Sequence, residues 1–185
     1  MYIVFMLSLF IYDGDTPLGW KDKIQENNAS SLFYRISPLF YSVSGIIVLL
    51  LNKTLKAHDK FFWWNIFGIM LILQGICSYM SDVEYWGKNS YWEPIDRFIA
   101  ITLTLIGGPV VIFRTLFGYA NYPFFFTLLW SLSVSFSLYC KYMSNLSLKA
   151  LNSSDYLFWH SLWHCLPLYA TFIILLLHFS DSCRI

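Results

Sequence analysis

Five apolar stretches along the chain approach or reach the length needed to cross a hydrocarbon layer. A helix needs about 20 mainly apolar residues to do so, somewhat fewer where polar groups face a bundle interior. The stretches run from about Ile36 to Leu51, Phe61 to Met80, Ile95 to Phe113, Tyr122 to Cys140 and Tyr156 to Phe179. Gly107, Gly108 and Pro109 are placed to kink the third, or to divide it into two short helices. The pattern predicts an all-α, multipass transmembrane helical bundle of about five spans over residues 36–185. Residues 1–35 form a hydrophobic lead followed by a polar segment. The lead, MYIVFMLSLFIY, has the length of a signal-peptide core, but it lacks a basic start and a clear small-residue cleavage site. An uncleaved lead or an interfacial helix fits it equally well.

Composition strengthens the membrane reading. Of the 185 residues 57% are hydrophobic and only 12% charged, far from the balance of a soluble domain. Aromatic residues make up 21%, with Trp and Tyr near the ends of apolar runs, where they anchor at the membrane–water interface. A net charge of +1 without any basic stripe excludes nucleic acid as a partner. Cys77, Cys140, Cys165 and Cys183 have no metal or redox spacing and read as small packing residues.

Alternating spans place Asp13 to Arg35, Asp82 to Glu93 and Lys141 to Asp155 on one membrane side, and Lys53, Lys56, Lys60, Arg114 and Arg184 on the other. Net charge makes the second side cytoplasmic, whereas a count of basic residues alone favours the first. Three glycosylation sequons, at Asn28, Asn145 and Asn152, lie on the first side and one, at Asn52, on the second. The first side therefore reads as lumenal or extracellular, in the endoplasmic reticulum, the Golgi or the cell surface.

On that first side three span ends converge. The second span ends with Ser78 and Asp82, the third opens with Asp96, and the fifth opens with His160 and His164 in FWHSLWHC. An ionisable group inside a membrane is costly without a partner or a metal. At i and i+4 of a helix, the two imidazoles project from one face with Cβ atoms about 5 to 6 Å apart, close enough to share one metal ion. Asp82 is the candidate third zinc ligand, Asp96 a candidate general base or holder of the metal-bound water, and Ser78 a candidate donor to a developing oxyanion. Each also has a plainer reading. The histidines can bond backbone carbonyls or water, Asp82 can be a solvated loop residue, Asp96 can complement a helix dipole, and Ser78 can be a packing residue.

A Ser closing the second span (CSYMSD), an Asp opening the third (PIDRFIAI) and HxxxH opening the last (FWHSLWHC) resemble the CREST superfamily of multipass membrane hydrolases. That group includes alkaline ceramidases, adiponectin and progestin receptors, GPI-remodelling phospholipases and myomaker-like proteins. The His-Ser-aromatic-His order is most similar to the myomaker-like branch, whereas QENNASSLFYRISPLFYSVSG looks more like an alkaline ceramidase. The resemblance implies zinc on His160, His164 and a third ligand, Ser78 and Asp96 assisting, and a membrane lipid amide or acyl ester as substrate. It also aligns Asp22, Gln25 and Asn27 with a calcium site, but Pro38 stands where a further carboxylate would be needed. Two departures stand out. Asp82 occupies the place of the superfamily's third zinc-binding His, and the usual seven spans are short by one hairpin. A catalytically degenerate scaffold, receptor-like subunit or fusion factor is therefore the rival expectation. A di-iron desaturase would need several histidine boxes, whereas this chain has one box and two other histidines, His58 and His178.

Overall fold

The computed structural model describes residues 31–54, 62–86, 90–107 and 123–165, and among them every element is helical. The elements are α1 (Leu32–Ile36), α2 (Leu39–Thr54), α3 (Phe62–Tyr79), α4 (Trp92–Thr102), α5 (Pro123–Lys149) and α6 (Ser153–His164). A π-helical turn at Met80–Glu84 prolongs α3, and a second at Leu103–Gly107 prolongs α4. Among the described residues two helical runs, Leu32–Leu51 and Trp64–Glu84, are long and apolar enough to cross a membrane. They cover the first two expected spans. Several expectations lie outside the described residues: the N-terminal lead with Asp22, Gln25, Asn27 and Asn28, the basic loop with Lys56, His58 and Lys60, the Gly108-Pro109 kink, Arg114, and the part of the fifth span beyond Cys165 with His178 and Cys183.

The α2–α3 hairpin is set by small residues. A Cβ on Gly45 would strike the Gly68 carbonyl, and one on Gly75 would strike Ser42 and the Pro38 carbonyl. Small side chains at these points let the two backbones touch, which is how helices associate where no hydrophobic effect drives them together. Ser42 Oγ donates to the Ile72 carbonyl at 3.0 Å across the same seam. Tyr41, Val48 and Leu71 fill the core beside it, with Trp64, Phe67 and Leu103 packed around them.

The α5–α6 hairpin departs from the expected boundaries. Polarity beginning at Lys141 placed the end of the fourth span at Cys140, but α5 runs on to Lys149. Polar side chains do not end a helix; caps and breakers do, and no Gly or Pro occurs between residues 124 and 165. The stop is a Schellman arrangement, with Asn152 N–H bonded to the Ser147 carbonyl at 2.9 Å and Leu151 N–H to the Leu148 carbonyl at 3.1 Å. Leu151 takes the left-handed conformation this turn requires, with φ of 57°. Asn152 then caps α6, its side chain accepting from Asp155 N–H at 3.2 Å. Buried Ser137, Cys140, Ser144 and Ser147 lie on one stripe of α5, and Cys140 packs against Trp163 of α6. The Asn145 sequon thus sits mid-helix with its serine, Ser147, buried, which is no surface loop.

The two hairpins meet along α6. Tyr156 contacts Tyr34 and Trp86, His160 contacts Asp82, and His164 contacts Ser37, Ser78 and Tyr41. This order makes α6 parallel to α1–α2 and antiparallel to α3, so the α3 end and the α6 start share one end of the bundle.

Candidate metal centre

The centre is built on the last turns of α3. Gln74, Ser78 and Asp82 recur at i, i+4 and i+8 and so face one direction. Asp82 lies within the π-helical turn, closed by Tyr85 N–H to the Met80 carbonyl at 2.9 Å. Such turns insert one residue into the helix and recur at functional sites. The Asp82 carbonyl accepts from the Tyr34 hydroxyl at 3.2 Å, which ties the widened turn to α1.

Asp82 Oδ2 lies 3.1 Å from His160 Nε2, 3.3 Å from His164 Nε2 and 3.3 Å from Ser78 Oγ. Ser78 Oγ is in turn 3.3 Å from His164 Nε2. Asp82, His160 and His164 are 6%, 5% and 1% exposed, so the group is sealed inside the bundle. The imidazoles stand edge to face, their centroids 4.7 Å apart, with Tyr34 beside His160 and Tyr41 beside His164.

Both imidazoles are held from behind. Ser144 Oγ lies 3.3 Å from His160 Nδ1, and Ser37 Oγ lies 3.1 Å from His164 Nδ1. Ser37 donates its own hydrogen to the Tyr34 carbonyl at 3.0 Å, so toward His164 it acts as acceptor. With the Ser37 hydrogen so placed, the matching His164 tautomer has its hydrogen on Nδ1 and its Nε2 lone pair toward Asp82. Two acceptors 3.3 Å apart repel unless a cation or a shared hydrogen lies between them.

A metal fits this donor set. Tetrahedral coordination at about 2.0 to 2.1 Å places donor atoms about 3.3 to 3.4 Å apart, and two of the three pairs here are at 3.1 and 3.3 Å. All three donor atoms lie within 4.8 Å of one another. Two nitrogens and one carboxylate oxygen are a set that divalent transition metals accept, and hydroxyls behind the Nδ1 atoms can serve as the outer partners that orient metal-binding histidines.

The structure thus joins Ser78, Asp82, His160 and His164. Asp82 is a buried member of the cluster rather than a solvated loop residue. Asp96 stands one step away on α4, half-buried, accepting from Gln74 Nε2 at 2.6 Å and within electrostatic reach of Ser78 and Asp82. Its neighbour Arg97 pairs with Glu93. Half-buried Lys141 of α5, expected in a loop, is attracted to both Asp82 and Asp96. Sequence reasoning missed Ser37, Ser144, Tyr34 and Gln74. For Gln74 a signal existed, a polar side chain one turn before Ser78 in an apolar run; the serines resemble many others in the chain.

Comparison with protein families, characterised proteins and solved structures returns no match for this chain.

Proposed function

We propose that this chain is a membrane-embedded, zinc-dependent hydrolase of a lipid amide or acyl ester, built as a shortened five-span relative of the CREST superfamily. The observation that carries the reading is the sealed Asp82, His160, His164 donor set, with both imidazoles oriented through Nδ1 by serines. Zinc held there supplies Lewis acidity toward a carbonyl and toward water. Ser78 donates its hydroxyl hydrogen to the substrate carbonyl oxygen as charge develops on it. Asp96, positioned through Oδ1 by Gln74, takes a proton from the attacking water and returns it to the leaving nitrogen or oxygen. Burial of the set within a helical bundle supports a lipid substrate reached from within the membrane, with the centre toward the lumenal or extracellular side.

One observation favours the rival reading of a catalytically degenerate membrane scaffold, receptor-like subunit or fusion factor. The polar cluster also closes without metal if Ser144 donates to His160 Nδ1, Ser37 turns its hydrogen from the Tyr34 carbonyl to His164 Nδ1, and both Nε2–H groups and the Ser78 hydroxyl donate to Asp82. Elemental analysis of protein purified in detergent without chelator separates the two. The hydrolase reading expects about one zinc per chain, lost in the His160→Ala, His164→Ala double variant. Equal zinc in both proteins, or none in either, overturns it.

A further inference from the structure

We infer that Asn152 is an N-glycosylation site, so that an oligosaccharide stands on the α5–α6 turn above the metal centre, whereas the neighbouring sequon at Asn145 stays bare. This rests on the lumenal placement of the centre and not on its hydrolase chemistry. Both sequons are complete in sequence, Asn145-Leu-Ser and Asn152-Ser-Ser, so only their surroundings separate them. A glycan is bulky and polar and needs open surface in the finished fold. Asn145 lies within α5, and its Ser147 is 7% exposed, with the hydroxyl donating to the Met143 carbonyl at 2.9 Å. Asn152 lies between the two helices in extended backbone, with φ of −98° and ψ of 95°, and both it and Ser154 are exposed.

The turn also clears the membrane. Asp82 and His160 meet near the end of the apolar run Trp64–Glu84, and the Tyr156 ring lies 5.4 Å from that of Trp86, already past that end. Asn152 stands about one helical turn further out than Tyr156, and about 12 Å along α6 from His160. α5 matches this reach, continuing from Cys140 to Lys149, about 14 Å along its axis. In the transfer, Asn152 Nδ2 attacks C1 of an oligosaccharide carried on a lipid diphosphate. The N–C1 bond forms as the C1–O bond to the diphosphate breaks; the lipid diphosphate keeps that electron pair, and one Nδ2 proton passes to solvent. The product is a secondary amide that retains Oδ1, so the cap on Asp155 N–H at 3.2 Å survives.

The test is synthesis of the full chain with endoplasmic-reticulum microsomes, read as the gel shift that an asparagine-cleaving glycosidase reverses. Asn152→Gln should remove one glycan step relative to the wild type. Ser154→Ala, which leaves the cap in place, should remove the same step, whereas Ser154→Thr should keep it and Asn145→Gln should lose nothing. An unchanged shift in Asn152→Gln, or a step lost in Asn145→Gln, overturns the inference. Lys149→Cys, at an exposed position in the last turn of α5, reports the membrane side independently through a membrane-impermeant maleimide, with the wild type as background. Shielding in sealed vesicles without a glycan at Asn152 overturns the inference alone; labelling in sealed vesicles overturns it together with the lumenal placement.

Discussion

Asp82 decides how the centre is read at the scale of single residues. A carboxylate replaces the imidazole that the family resemblance leads one to expect, yet Oδ2 stands 3.1 and 3.3 Å from the two Nε2 atoms, at donor–donor spacing for a tetrahedral metal. If the carboxylate completes the site, Asp82→His should leave zinc stoichiometry unchanged, because one competent ligand replaces another. A rise in zinc content, or hydrolase activity appearing only in Asp82→His, would mark the natural protein as a degenerate member. His160, His164, Ser78 and Asp82 were legible because ionisable or reactive groups in apolar runs are rare and costly. Ser37 and Ser144 were not. A serine orients a histidine only through a backbone path that brings it to the Nδ1 atom, and nothing in its local sequence records that path.

Among the elements, α3 carries most of the site, and its position depends on how closely α2 approaches. Gly75 lies between Gln74 and Ser78, and a side chain there meets Ser42 and the Pro38 backbone. Gly75→Leu should push α3 away, destabilise the bundle by about 1 to 3 kcal/mol and lower zinc content together with stability. Thermal unfolding in detergent with parallel elemental analysis checks both; a folded variant with full zinc would show that α3 is not held this way. The second expected span was legible from its apolar run, and α5 starts as a helix where the fourth apolar run starts. The far end of α5 was not legible, because hydropathy marks membrane contact, whereas the helix stop comes from the Ser147–Asn152 turn. The π-helical turn beneath Asp82 has no signal in the sequence.

For the whole molecule, a metal at this centre is a tertiary crosslink, since Asp82 comes from one hairpin and His160 and His164 from the other. Ligand bound only to the native state at about 100 times its Kd contributes about 2.7 kcal/mol. Chelation should therefore lower Tm by about 5 to 10 °C for a chain of this size, and zinc should restore it. The His160→Ala, His164→Ala variant should show no response to either, as scanning calorimetry in detergent would report. An unchanged wild-type Tm would mean that the hydrogen-bonded cluster alone joins the hairpins.

Apolar runs and the scarcity of charge were enough to determine that the described residues are all helical, with two segments able to cross a membrane, and to single out the four polar residues that meet. That much is local, because hydrophobicity and helical spacing act over a few turns. Only the tertiary structure decided that Asp82 faces both histidines, that serines from α1–α2 and α5 stand beside the Nδ1 atoms, and that Gln74 meets Asp96. Those facts depend on which helices cross and at what depth, and crossing is set by small-residue seams and caps distributed over the whole chain.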